Sequence, residues 1–183
     1  MKKIRPTYAI LFSLIGLIVL IICELVRFDQ LRDRDVVLWA PICTILASVP
    51  AIIATMMLHY RCWKAIPVDI ARTTPGAAVG LLFVPFFNFY WFFVSYAGLA
   101  EDCAKALGSR RSSRGLGITL GILSITYSTF IALIPLMIIP LGVTYFIVWL
   151  VYTLRIVAGA NELTGRESPQ ASSSAEQGVD PNA

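Results

Sequence analysis

Residues 115–154 read GLGITLGILSITYSTFIALIPLMIIPLGVTYFIVWLVYTL, forty consecutive positions without a charged side chain. As one straight α-helix this stretch would measure about 60 Å, twice the roughly 30 Å of a bilayer's hydrocarbon core. It therefore predicts two membrane-spanning helices joined by a turn. Pro135, Pro140 and Gly142 mark the turn, because proline and glycine interrupt regular helix.

Three further apolar runs precede this stretch, and the composition agrees with a lipid environment. Hydrophobic residues make up 57% of the 183 residues, charged residues make up 14%, and the mean hydropathy is +0.75. These values lie outside the range of soluble globular domains. The sequence predicts an all-α polytopic membrane helical bundle with four spanning helices and a fifth apolar segment.

We predict a single membrane domain at residues 1–160, followed by a polar, serine-rich tail that is disordered at residues 161–183. The apolar segments of the domain are 8–26, 36–58, 77–100, 116–135 and 139–157. Pro41 and Pro50 lie in the second segment, which predicts a kinked span, since proline removes a backbone donor.

The third segment, residues 77–100, is ambiguous because its centre reads VPFFNFYW. Pro85 and Asn88 indicate a break at mid-segment. Thr73 or Thr74, followed by Pro75, supplies an N-cap and a first-turn proline ahead of it. The segment is either a kinked span or a re-entrant or interfacial element that returns to the side from which it came.

The distribution of basic residues favours the second alternative. If all five segments span, the 15 Lys and Arg residues divide nine to six between the two sides. If segment 77–100 returns, twelve share one side and three remain in the first loop, RFDQLRDRD. The positive-inside rule then predicts that both termini are cytoplasmic. The kinked span stays open, because a spanning helix satisfies its own backbone hydrogen bonds.

The sequence contains no motif of a known catalytic or metal site, and apart from Glu24, near a helix end, no ionisable carboxylate, lysine or histidine lies deep in an apolar run. We therefore predict no enzyme activity and no cofactor or metal. The single histidine, His59, is predicted to be an interfacial side chain. The four cysteines are predicted to be unpaired thiols.

Two sets of small residues recur at helical spacing and allow helix backbones to approach closely. They are Gly117, Gly121, Ser124 and Ser128 in the fourth helix, and Gly76 and Gly80 at the start of the third segment. Packing within the chain is the preferred interpretation of both sets, and a dimer seam is the alternative. For Asn88, the one amide at membrane depth, an interhelical hydrogen bond is preferred over contact with a solute.

The stretch from Trp63 to Lys105 contains RTTPG at Arg72–Gly76 and PFFNFYW at Pro85–Trp91. It resembles the shared core of uncharacterised bacterial multipass membrane proteins, some of which carry a GYF-like domain before the membrane region. The resemblance implies no activity, but it marks this segment as a signature element of the group. The candidate functional residues are Arg72, Thr74, Pro75, Gly76, Pro85, Asn88 and Trp91.

We expect a multipass protein of a bacterial inner (cytoplasmic) membrane that acts as a membrane scaffold or interaction protein. Its basic loops are expected to contact anionic lipid headgroups and not nucleic acid, because the basic residues form short clusters between apolar runs. Another membrane protein or a second copy of the chain is a possible partner. The alternative function is a small transporter or channel subunit with a broken-helix site at Pro85 and Asn88.

Overall fold

The computed structural model describes residues 3–29, 34–109, 113–133 and 138–177. The prediction of an all-α fold is confirmed, because these residues contain helix and no strand. The α-helices are α1 (Thr7–Asp29), α2 (Arg34–Lys64), α3 (Pro75–Gly80), α4 (Phe87–Phe92), α5 (Gly98–Leu107), α6 (Arg114–Leu133) and α7 (Ile138–Gln177). A 3₁₀-helix (Leu81–Phe83) follows α3, and a π-helix (Phe93–Ala97) joins α4 to α5.

Three helices in the described part of the chain contain stretches that are long and apolar enough to cross a membrane. They are Thr7–Val26 of α1, Ile42–Lys64 of α2 and Ile139–Arg166 of α7. Only 11% to 28% of the residues in their most apolar windows are buried inside the protein. Apolar surface of this extent requires an apolar environment, so the membrane prediction is confirmed at this level.

Helix α2 continues to Lys64, six residues past the end predicted for the second segment. The helix is continuous through Pro41 and Pro50. The helix runs beyond the apolar segment 36–58, and Cys62 and Trp63 are buried against other elements, which extends the packed face of the helix by one turn. His59, in this last part of α2, therefore lies inside the bundle.

Helix α6 ends at Leu133 and helix α7 begins at Ile138, and Pro135, between them in sequence, lies outside the described residues. Pro140 and Gly142 are both within α7 and do not form the predicted turn. Pro140 lies in the first turn of the helix, where proline is tolerated because those N–H groups have no intrahelical partner. At Gly142 a Cβ atom would come within 3.2 Å of Leu20 of α1, so the glycine permits close packing.

Helix α7 extends to Gln177, whereas the sequence predicted a disordered tail from residue 161 on. The side chains at the start of this extension have partners. Leu163 and Thr164 are buried, and the Asn161 amide accepts a hydrogen bond from Ile4 N at 2.7 Å and donates one to Ile4 O at 2.9 Å. Residues 178–183 lie outside the described residues.

The buried core lies toward one end of the bundle, where several elements converge. This end contains the N-terminal segment, the C-terminal part of α2, the π-helix, α5 and the second half of α7. Its largest fully buried side chains include Trp63, Leu99 and Leu120. Together with the bonds between Asn161 and Ile4, this packing holds the chain's N-terminal segment beside α7.

The small residues of α6 pack against the π-helix, as predicted for contact within the chain. A Cβ atom at Gly117 would lie 2.7 Å from Ala97 Cα, and one at Gly121 would lie 2.4 Å from the Phe93 ring. The prediction for Gly76 and Gly80 was wrong, because a Cβ atom at either position meets nothing within 4 Å. The side chain of Ser128 lies outside the described part.

Candidate functional site

Segment 77–100 begins with the N-cap that its sequence predicts. Thr74 has an extended backbone, and its hydroxyl oxygen accepts a hydrogen bond from Ala77 N at 3.2 Å. Pro75 occupies the first turn of α3, where its missing N–H has no intrahelical partner to lose. Thr74, the second of the two threonines, is therefore the residue that starts the helix.

A tight turn interrupts the segment at residues 84–87, which confirms the break predicted at Pro85 and Asn88. Phe86 has φ 63° and ψ −41°, the one positive φ at a non-glycine residue in the described chain. Phe87 N donates to Pro85 O at 2.7 Å across it, which makes Phe86 the central residue of a γ-turn. A bulky residue in this conformation is strained.

Replacing Phe86 with glycine is expected to stabilise the protein. Strain of this kind costs about 1–3 kcal/mol, whereas glycine loses about 0.5–1 kcal/mol through its greater freedom when unfolded. The Phe86 side chain is 87% exposed, so little packing is lost. Denaturation in mixed micelles should show a gain of about 1 kcal/mol. Phe83→Gly, a control without positive φ in the preceding 3₁₀-helix, should destabilise; a loss with both variants would contradict the strain.

After the turn the chain folds back on itself. The indole nitrogen of Trp91 donates to Ala77 O at 3.1 Å and to Ala78 O at 3.3 Å. The Ser95 hydroxyl lies 2.9 Å from Ala78 O. In one straight helix residues 77 and 91 would be about 21 Å apart. Segment 77–100 is therefore a helical hairpin, and its two ends lie side by side.

An ion-pair network ties the residue before the hairpin to the residues after it. Asp102 is 1% exposed and accepts from Arg72 N at 3.0 Å, Nε at 3.0 Å and Nη2 at 2.7 Å. Arg72 Nη2 also lies 3.1 Å from Glu101. Gly98 allows the arginine to cross α5, because a Cβ atom there would lie 3.0 Å from Arg72 Cδ. We call Arg72, Glu101 and Asp102 the hairpin clamp.

The clamp shifts the pKa of Glu101 and of Arg72 in the direction of their charged forms. Hydrogen bonds from Lys105 and then Arg72 lower the pKa of Glu101 below its ordinary value. The hydrogen bond to Asp102 raises the pKa of Arg72. Lys105 and Arg114, which lie 3.0 Å and 3.5 Å from Glu101, extend the network to the start of α6. Glu101 and Arg72 are therefore both charged at neutral pH.

His59 is buried and is not the interfacial side chain that the sequence predicted. Its Nε2 accepts from the Trp63 indole N–H at 3.2 Å and lies 2.7 Å from the Ser95 hydroxyl. The Trp63 indole nitrogen can only donate, and the Ser95 hydroxyl has one proton to share between Nε2 and the Ala78 carbonyl oxygen. Its ring stacks on Tyr96 at 4.3 Å, and this network joins α2 to the returning arm of the hairpin.

Ser95 and His59 have the spacing of a nucleophile and its general base, but their surroundings leave no room for a substrate. Both side chains are buried, and Trp63 already donates to the nitrogen that would accept the serine proton. The adjoining cavity has a volume of about 20 Å³, which suits a single water molecule. No group of three possible metal ligands occurs among the described residues. The geometry supports packing and not hydrolysis.

Asn88 lines a cavity of about 280 Å³ between α2, the hairpin tip and α6. Its Oδ1 atom is buried and accepts no hydrogen bond within the described structure. This oxygen does not make the interhelical hydrogen bond that the sequence predicted. The cavity is otherwise lined mainly by apolar groups, which include Met56, Leu82 and Phe92.

The structure gathers most of the predicted site residues at the two ends of the hairpin. Arg72, Thr74 and Trp91 lie at its base, where the two arms begin and end. Pro85 and Asn88 lie at its tip. Gly76 contributes no close contact. The roles of Asp102 and Ser95 and the burial of His59 were not predicted from the sequence. An arginine and an aspartate that flank one apolar segment are a signal that could have suggested the clamp.

Comparison of the chain with family models, curated proteins and solved structures finds no significant match.

Proposed function

We propose that this protein is a multipass scaffold or interaction protein of a bacterial cytoplasmic membrane, built from four spanning helices and a re-entrant hairpin. The contact that carries the proposal is the pairing of Arg72 with Asp102, because two residues that share an ion pair lie at one depth in a bilayer. Helix α6 is the fourth span, since its 20 residues carry no charge after Arg114.

The dimensions of the hairpin fit a re-entrant element. The six residues of α3 and the three residues of the 3₁₀-helix give a first arm of about 15 Å. This length is half of the roughly 30 Å hydrocarbon core, so the tip reaches the middle of the bilayer. Local hydrogen bonds satisfy the N–H groups of Val84, Phe87 and Asn88 in the turn, and Pro85 has none to satisfy.

An interaction role is supported by the contrast between the interior and the periphery. The interior cavity beside His59 admits one water, whereas the hairpin tip exposes large aromatic side chains. Phe83, Phe86 and Tyr90 are 66%, 87% and 63% exposed. Aromatic side chains presented in this way pack on lipid or on another membrane protein, because such contacts need only shape and apolar surface.

The sidedness of the segments that flank the hairpin tests the topology. Cys62 and Cys103 are buried, and burial raises the pKa of the Cys103 thiol to about 11, so the test needs introduced cysteines. In a chain with its four native cysteines replaced by serine, Val68→Cys and Ser109→Cys are expected to react with an impermeant maleimide from the same side of oriented vesicles. Both positions are exposed.

A cysteine at Gln30, between α1 and α2, is the matched control and should react only from the opposite side. Reaction of positions 68 and 109 from opposite sides would rule out a re-entrant hairpin and establish a fifth span. Reaction of positions 30 and 68 from the same side would show that α2 does not cross.

The unpartnered amide oxygen of Asn88 favours a second candidate function, a small transporter or channel subunit. If Asn88 contacts a solute in its cavity, liposomes that contain the protein should release trapped potassium ions or carboxyfluorescein, and Asn88→Leu should abolish the release. Ser48→Ala, a polar-to-apolar control on α2 outside this cavity, should leave the release unchanged. Equal release with and without protein would leave the scaffold as the function.

A further inference from the structure

A groove between α1 and α2 combines two arginines with an apolar wall. It has a volume of about 400 Å³. Arg5, just before α1, and Arg61, in the last turn of α2, lie at one end of it. The rest of the lining is mostly apolar or aromatic and includes Tyr8, Phe12, Pro50, Ile53 and Met57.

Neither arginine has an ion-pair partner in the part of the chain that the structure describes. This distinguishes them from Arg72, Arg114 and Arg166, which each contact a carboxylate. Both side chains are exposed. Two uncompensated guanidinium groups at one site favour an anionic ligand, and a guanidinium matches the geometry of phosphate oxygens.

The length of the groove matches one leaflet of a bilayer. Arg61 follows Pro50, at the apolar end, by eleven positions of α2, which correspond to about 16 Å of helix. Half of a hydrocarbon core is about 15 Å. A ligand with its charge at the arginines and an apolar chain along the groove would therefore reach the middle of the membrane.

We propose that the groove formed by Arg5, Arg61 and the apolar faces of α1 and α2 binds one anionic phospholipid, with its phosphate at the two arginines. A lipid of this class satisfies the unpaired charge and fills the apolar wall at once. Lys64, one turn from Arg61, adds positive charge beside the same headgroup. The inference rests on the insertion of α1 and α2 that the proposed function includes.

Native mass spectrometry of the whole chain, titrated in detergent with phosphatidylglycerol or phosphatidylcholine, tests the site. The first phosphatidylglycerol is expected to bind more tightly than phosphatidylcholine. Arg5→Gln and Arg61→Gln should each weaken it about fivefold, and the double variant about 25-fold, if each charge contributes as arginines near anionic headgroups do. Arg155→Gln, which removes an exposed charge outside the groove, should change little.

A steric variant distinguishes a lipid from a free anion. Ile53→Trp fills the apolar wall and keeps both arginines, so it should weaken binding of phosphatidylglycerol but not of inorganic phosphate. Unchanged lipid binding in Arg5→Gln/Arg61→Gln would overturn the inference. Inorganic phosphate that displaces the lipid at equal concentration, with no effect of Ile53→Trp, would also overturn it. Neither result would alter the sidedness of residues 30, 68 and 109, so the proposed topology is tested separately.

Discussion

Replacing Arg72 with alanine is expected to destabilise the protein by about 2–3 kcal/mol, less than the roughly 3–5 kcal/mol of a fully buried ion pair, because the Arg72 side chain is 35% exposed. Asp102 is 1% exposed and, among the described residues, would keep the backbone N–H of position 72 and Lys105, whose ammonium nitrogen is 3.9 Å away. A carboxylate left in this position is desolvated with much weaker compensation than the guanidinium provides. Denaturation in mixed micelles, followed by circular dichroism, measures the loss.

Two further variants separate the buried charge from a general loss of positive charge. Arg114→Ala removes a more exposed arginine, 3.5 Å from Glu101, and should cost less than about 1 kcal/mol. The double variant Arg72→Ala/Asp102→Ala leaves no buried carboxylate and should be more stable than Arg72→Ala alone. Equal losses in Arg72→Ala and Arg114→Ala would show that the pair does not hold the hairpin.

Replacing Gly117 with leucine should separate α6 from the hairpin. The Cβ atom alone would lie 2.7 Å from Ala97 Cα and 2.8 Å from Ala97 N, which are backbone atoms and cannot rotate away. Overpacking of a well-packed contact costs about 1–3 kcal/mol, and leucine belongs at the upper end of that range. The same denaturation experiment should record the loss.

Gly115→Leu is the matched control for this prediction. It lies two residues away on the same helix, and a Cβ atom there meets nothing within 4 Å. The control should be neutral or slightly stabilising, because leucine is a better helix former than glycine. If both variants behaved alike, the approach of α6 to the π-helix would not contribute to stability.

Much of the hairpin could be predicted from local sequence. Thr74 and Pro75 indicate a helix start, and Pro85 with Asn88 indicates a break, because capping and proline effects act over a few residues. The close approach at Gly117 and Gly121 also follows from spacing along one helix face. These features need no knowledge of distant parts of the chain.

The remaining features depend on partners that are far apart in sequence. Arg72 and Asp102 are 30 residues apart, and hydropathy alone assigns both to aqueous loops. His59 looks interfacial beside Tyr60 and Arg61, yet Ser95, 36 residues away, supplies its buried partner. Past residue 160, helix α7 packs on the N-terminal segment, where Asn161 bonds to Ile4, 157 residues earlier in the chain. No local pattern carries such information, so tertiary contacts decided these points.

The two hydrogen bonds between Asn161 and Ile4 also set an order of assembly. Its two partners are separated by 157 residues, almost the whole chain, so it can form only after α7 has been synthesised and inserted. The antiparallel pair α1 and α2 can associate much earlier, since its contacts are local in sequence. During biogenesis the N-terminal segment therefore stays unbound to α7 until that helix has been inserted.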